Sequence, residues 1–265
     1  MLSDAHIHLE NRPYTKAAFE EFVNQAVLMN LGEIGLVEHS HRFMEFLPLY
    51  QDSKAIGGKV TAWYENKNKL AIKDYIDFIA EMKAIEWPIK INFGLEVCYF
   101  PDKEDFIYEQ IRSYPFDFYI GSVHHVDNVP YDLDGISQAA LWDVQGTDEV
   151  YRKYYQLVEK LIDFGEFEIV GHLDTIKIFN RYPSYDLKAT YEQIAKKINE
   201  QLIVAENNSG VYYRYNNKDL GLNETLLDIL KHYRVKLCES SDAHHPSDVG
   251  KYIKELFAKN NSNFT

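Results

Sequence analysis

Cysteine is scarce, with only Cys98 and Cys238 in 265 residues. Two such distant positions exclude a disulfide framework and a cysteine-rich zinc site, and each lies in an apolar run that suits a buried thiol. Basic residues are the minority charge: 28 lysines and arginines face 41 acidic residues, a formal net charge of −13. That balance argues against a general affinity for nucleic acid or an anionic membrane surface, and a small-molecule partner fits better. No segment approaches the roughly 18 consecutive apolar residues that a membrane-spanning helix requires. The start Met1-Leu2-Ser3-Asp4 also lacks a basic region followed by a long apolar stretch, so a cytoplasmic protein is expected. Internal repeats, low-complexity tracts and interdomain linkers are missing too. A hydrophobic content of 46% can bury a substantial core, and one domain over residues 1–265 is expected. The oligomeric state stays open, a homo-oligomer included.

What the chain does contain is a regular alternation of short β-rich segments with longer stretches of helical period, the pattern of a parallel α/β sheet. Seven strands are expected near 2–7, 34–38, 90–96, 117–123, 168–171, 202–206 and 235–240. A helix over 15–30 has Thr15 as its cap, an apolar stripe of Phe19, Phe22, Val23, Ala26 and Val27, and Gly32 as its stop. A second over 69–86 aligns Ile72, Tyr75, Ile76, Ile79 and Met82 before Trp87-Pro88 interrupts it, and a third spans 147–164 and ends at Gly165. Segments 42–66 and 127–146 exceed a minimal βα rhythm; both follow strand ends, where insertions cover the catalytic face of a parallel barrel. The Asn260–Asn263 segment reads as a frayed tail.

Nine of the ten histidines fall just beyond the apolar segments, and only His232 stands apart. His6, His8, His39, His41, His124, His125, His172, His244 and His245 are joined there by Asp4, Glu38, Glu96 and Asp242. Imidazole and carboxylate hold zinc, iron or manganese, and a set drawn from many segments can surround two or three ions. His6 and His8 are two apart, which on a strand aims both rings to one side. A lone histidine is more often structural, but these positions end different predicted strands, and those ends converge in a parallel barrel. His125, His245 and Glu38 sit beside stronger candidates, so their side chains should point away from the same ion. They are expected to orient ligands or touch substrate.

Taken together, these residues resemble the PHP (polymerase and histidinol phosphatase) family of metal-dependent phosphoesterases over almost the whole chain. The resemblance rests on Asp4-Ala5-His6-Ile7-His8, Glu38-His39, Gly94-Leu95-Glu96 and Asp242-Ala243-His244, in that order. Within the family the histidinol-phosphatase branch is most similar, through Gly121-Ser122-Val123-His124, Gly171-His172-Leu173-Asp174, Glu206-Asn207-Asn208-Ser209-Gly210 and the run from Ser241 to Gly250. The resemblance implies a distorted seven-stranded (β/α) barrel, TIM-barrel-like, holding two or three divalent ions (zinc, manganese or iron). By motif position, His6, His8, Glu96 and Asp242 would hold one ion. Glu96 would bridge to a second held by His124 and His172, and His39 and His244 would serve a third. Family members usually add a ligand six residues beyond the second histidine of the first motif, where this chain has Tyr14. Glu10 in its place, Tyr14 as phenolate, partial occupancy and completion by water all remain open here.

The implied reaction is hydrolysis of histidinol phosphate to histidinol and phosphate by a hydroxide held between ions, a step of histidine biosynthesis. A basic residue after the Gly-His motif is usual in the family, which makes Lys177 the leading phosphate contact. Arg12, Arg42, Arg181 and Arg214 are further candidates because guanidinium matches phosphate bidentately. Asp174 is a candidate to protonate the leaving oxygen or bind the substrate amine, with a simple helix cap as its alternative role. Two other readings stand beside this one: a family member acting on a different small phosphoester, and a noncatalytic module binding metal or a phosphorylated metabolite.

Overall fold

A computed structural model of the chain describes residues 1–10 and 12–262. The strands are β1 (Leu2–Ile7), β2 (Leu31–His39), β3 (Lys90–Cys98), β4 (Phe118–Ser122), β5 (His125–Val126), β6 (Val129–Pro130), β7 (Ile169–Val170), β8 (Val204–Asn208) and β9 (Leu237–Ser240). Seven of them form one parallel sheet in the order β1-β2-β3-β4-β7-β8-β9, matching the seven expected strands, and β5-β6 is a small antiparallel hairpin. Past β9 the chain pairs with the first strand: Asp242 N–H donates to the His6 carbonyl at 2.9 Å and His8 N–H to the Ala243 carbonyl at 2.8 Å. These bonds close the barrel at its C-terminal end. Alternate residues such as Ile7, Ile34, Leu36, Leu95, Val97 and Ala205 are buried, and the helices cover the outside.

Helix Lys16–Leu28 begins at Thr15, whose hydroxyl accepts from Ala18 N–H at 3.3 Å. Phe19, Phe22, Val23 and Ala26 are buried as expected, whereas Val27 is exposed. Gly32 is not the stop. It lies inside β2, and the turn is made by Asn30 at φ +56°, a left-handed conformation that asparagine tolerates. The second helix is shorter than expected, Ile72–Lys83, because the amides of Lys69 and Leu70 donate to the Arg42 carbonyl instead of continuing a helix. Helix Thr147–Phe164 keeps its expected limits, with Gly165 left-handed at φ +69°.

The insertion after β2 folds into two 3₁₀ turns (Ser40–Arg42 and Met44–Tyr50) and helices Gln51–Ala55 and Gly58–Lys67. The insertion after β4 carries the hairpin and a short π-helical turn, Gln138–Trp142. Asn260 and Asn261 belong to helix Ile253–Asn261, and Asn260 bonds Asn207 and Glu239 at 2.6 and 2.8 Å, so that end is anchored. Asn263, expected in the tail, lies outside the described residues. Among the described residues, no helix is long and apolar enough to cross a membrane.

Candidate metal centre

Glu96 lies in the buried C-terminal half of β3 and stands at the middle of five imidazoles. Its Oε2 lies 3.4 Å from His6 Nε2, 3.7 Å from His8 Nε2 and 3.2 Å from His39 Nε2. Its Oε1 lies 3.0 Å from His172 Nε2 and 3.4 Å from His124 Nε2. These residues come from β1 and the residue just past it, from β2 and β3, and from the turns after β4 and β7, so the converging strand ends account for the gathering. Burial alone would raise the Glu96 pKa, but the charges of His6, His39 and His124 and the His172 hydrogen bond hold it well below the usual carboxylate range.

Three sets of donor atoms lie within 4.8 Å of one another: His6–His8–Glu96, His39–Glu96–His124 and His8–His39–His244. The grouping differs from the one implied by motif position, since His39 rather than His172 completes the set with Glu96 and His124. His172 still faces Glu96, and Asp242 Oδ1 sits 3.3 Å from His8 Nε2. The donors fit divalent ions. The His6 and His8 Nε2 atoms face each other at 2.9 Å, and the buried Nδ1 atoms of His8, His39 and His172 find no hydrogen-bond partner among the described residues. Nitrogen and carboxylate oxygen are the donors such ions prefer.

Glu10 stands beside the third set, with its Oε2 3.2 Å from His244 Nε2. Burial opposes ionisation there, yet His244 and Lys67 pull the Glu10 pKa down to about 2. Glu38 holds this turn in place by accepting the amides of Leu9 (2.9 Å) and Glu10 (3.1 Å), while Arg42 bonds both Glu38 and the Glu10 carbonyl. Glu38 therefore orients Glu10 rather than its neighbour His39. Tyr14 is placed elsewhere: its ring packs on Tyr75 and Phe78 at centroid distances of 5.3 and 5.5 Å. Burial, with the negative charge of Glu38, pushes its phenol pKa up, which disfavours a phenolate ligand.

The basic residues sort differently from the expectation. Lys177 is buried and binds Asp174 at 2.8 Å and the Gly221 carbonyl, while Asp174 also accepts the Asn223 amide at 2.7 Å. This knot ties the turn after β7 to the 219–223 loop. A buried ammonium needs acceptors, and Lys177 finds two of them within the fold. Arg181 pairs with Asp143, Arg12 with the exposed Glu21, and Arg42 with Glu38. Arg214 alone among these candidates reaches the cluster, with Nη2 2.5 Å from Asp242 Oδ2 and Nη1 2.6 Å from His244 Nδ1. A Cβ on Gly210 would meet that guanidinium at 2.7 Å, so glycine leaves it room.

His125 bonds Tyr64 and lies against Phe100, and His245 turns outward to cap Ser247. His41 is buried beside Trp63, with ring centroids 4.9 Å apart. Sequence reasoning gave no role to two acidic residues at the site. Glu206, in the middle of β8, accepts from His6 Nδ1 at 2.7 Å and from the His172 amide at 2.5 Å. Asp132 lies just past the hairpin and lines the cavity beside His39, His124 and His244. Glu206 closes the expected strand 202–206, so the rule that strand ends converge could have found it, although in the structure β8 runs on to Asn208. Asp132 lies in an insertion and carries no comparable signal. Asp4, at the barrel closure, accepts from Ser241 N–H (2.8 Å), Ser241 Oγ (2.5 Å) and Gly250 N–H (2.9 Å), which fixes the loop bearing Asp242 and His244.

A parallel barrel whose C-terminal strand ends carry this many imidazole and carboxylate donors belongs to the class of barrels with a multi-ligand metal centre. The chain is a member of the PHP family, whose domain matches residues 4–210. It is 23% identical over 256 residues to a Deinococcus radiodurans protein described as "Probable histidinol-phosphatase", covering 94% of this chain and 88% of that one. A Schizosaccharomyces pombe protein of the same description is 25% identical over 256 residues, covering 89% and 78%. Among solved structures, histidinol phosphate phosphatase from Lactococcus lactis, complexed with zinc, L-histidinol and phosphate, superposes with a TM-score of 0.73 at 20% identity, covering 98% of this chain and 92% of that one. A Listeria monocytogenes structure gives 0.72 at 19% identity, covering 95% and 99%. These superpositions establish the fold.

Proposed function

We propose that this protein is a phosphoric monoester hydrolase that converts histidinol phosphate to histidinol and inorganic phosphate, using two or three divalent ions. The observation that carries the reading is the position of Glu96 among five imidazoles with Arg214 beside them, a cluster with both metal donors and one guanidinium. The substrate reading is supported by the descriptions of the relatives that align with most of the chain.

His6, His8, His39, Glu96, His124, His172, Asp242, His244 and Glu10 would hold the ions, which when bound would neutralise phosphate charge and acidify an attacking water. Glu206 fixes the tautomer and tilt of His6 by accepting its Nδ1 proton. Arg214 offers a fixed fork of donors at the rim of the cluster, suited to the phosphate oxygens as charge builds on them. Trp63, Tyr64, Pro130 and Leu133 wall the adjoining cavity. Cytoplasmic location follows from the proposed role in histidine biosynthesis.

The experiment is phosphate release from histidinol phosphate and a panel of other phosphoesters, with protein reconstituted separately with zinc, manganese and iron. A kcat/KM for histidinol phosphate several orders of magnitude above the others is expected. Preference for another ester would keep the metal centre and overturn the substrate, and no turnover with tight binding of a phosphorylated metabolite would mark a binding module.

A further inference from the structure

The cavity next to the cluster runs between the insertion after β2 and the hairpin loop. It is about 130 Å³, and Glu10, His39, His124 and His244 form its floor, while Trp63, Tyr64, Pro130, Asp132 and Leu133 stand above. The two carboxylates in this lining are not equivalent. Glu10 is committed to His244 and Lys67. The Asp132 carboxylate is half-buried and is taken by no ion pair or hydrogen bond with another side chain among the described residues. A half-buried carboxylate paired with no lysine or arginine, in a cavity with aromatic walls, is suited to receive a cationic group of a bound molecule.

We propose that Asp132 is a specificity-determining residue that receives the ammonium group of the substrate while the phosphate occupies the cluster. This rests on the proposed phosphomonoesterase reading and deepens it, because it makes an amine on the alcohol portion the feature the site selects. Three observations carry it. Asp132 shares one cavity with His39, His124 and His244, so a single small molecule can touch both ends. The hairpin that delivers it is fixed, since Tyr131 N–H donates to the His124 carbonyl at 3.1 Å and Ser137 Oγ bonds the Pro130 carbonyl at 2.7 Å and the Leu133 amide at 2.9 Å. Lys67, the cation at this rim, is already held by Glu10 and lies over the Trp63 ring at 5.7 Å.

The test compares wild type, Asp132→Asn and Asp132→Glu on paired esters: histidinol phosphate against its des-amino analogue, and aminoalkyl phosphates against the amine-free alkyl phosphates. Metal content and thermal unfolding are measured on the same samples. Wild type should prefer the amine-bearing member of each pair. Asp132→Asn should lose about 30-fold of kcat/KM for that member relative to its amine-free partner, the scale of one lost charge-assisted contact, and mainly through KM. Asp132→Glu should recover part of the preference. An equal fall on both members of a pair, or no change, would overturn the proposal, as would a wild type indifferent to the amine or inert on every ester. If amine-bearing esters were preferred but histidinol phosphate was not hydrolysed, the role of Asp132 would stand and the proposed substrate alone would fall.

Discussion

Glu206 Oε1 accepts a hydrogen bond from His6 Nδ1 at 2.7 Å, which leaves His6 Nε2 facing Glu96 and His8. Both side chains are fully buried, so the bond is not exchanged for water. Replacing Glu206 with Gln keeps the shape and removes the charge that makes His6 a better donor to a metal. We expect metal affinity or turnover to fall by about 10–100-fold, the usual weight of such outer partners. Glu96→Ala should cost more, because it removes the carboxylate shared by all five imidazoles. Metal titration on folded protein measures both, and a Glu96→Ala protein with full metal content and normal turnover would refute the central position given to Glu96.

Lys177 and Arg214 differ in their partners: Lys177 is tied to Asp174 and the Gly221 carbonyl, whereas Arg214 reaches Asp242 and His244. Lys177→Met leaves Asp174 buried without its partner, a change that costs about 3–5 kcal/mol of stability for a broken buried pair. Turnover at a temperature where the variant is folded should stay near wild type. Arg214→Ala should do the reverse, lowering kcat/KM by about 10²–10³ with a small change in unfolding temperature. Denaturant melts and steady-state kinetics on the two proteins decide the matter: a Lys177→Met enzyme that melts normally but hydrolyses poorly would restore Lys177 as a phosphate contact.

Period and strand-end logic read the barrel well, because a strand buried on both faces leaves a short apolar run and its end exposes the next polar residue. Those rules found all seven sheet strands and placed the ligand candidates on converging ends. They failed where direction matters. Lys177 and Arg214 look alike in sequence, and only the fold shows that the Lys177 ammonium turns to the Gly221 carbonyl while Arg214 leans over Gly210 to Asp242. Gly32 failed as a helix stop because a glycine marks a turn only when its φ requires it, and here Asn30 made the turn. The β5-β6 hairpin was too short to leave a period, and with it went the position of Asp132.

Glu10 and Tyr14 give opposite expectations for metal stoichiometry. Tyr14 stacks on Phe78 and Tyr75, away from the imidazole nitrogens, so Tyr14→Phe should bind the same number of metal equivalents and turn over at the wild-type rate. Glu10→Gln removes the carboxylate beside His244 and should lose up to one equivalent, with the remaining ions retained by Glu96. Elemental analysis after dialysis reports the number directly. Loss of an equivalent from Tyr14→Phe, with none from Glu10→Gln, would reverse the assignment.

The metal-free protein should depend on pH through His172. Burial lowers the pKa of this imidazole, but the hydrogen bond and charge of Glu96 outweigh burial and raise it from 6.5 to about 9. The folded state therefore keeps a proton that the unfolded chain releases, and this contribution to stability is complete below pH 6.5 and lost as pH rises through about 9. His6, raised well above 6.5 by Glu206 and Glu96 against its burial, acts in the same direction. A divalent ion competes for these nitrogens only after the protons leave, so its affinity should increase with pH over that window and binding should release protons. Calorimetry in two buffers of different ionisation enthalpy counts the released protons, and thermal melts of chelator-treated protein follow the stability. Proton-neutral binding at pH 7.5, together with a melting temperature that is flat from pH 6.5 to 9, would mean that Glu96 does not hold His172 protonated before the metal arrives.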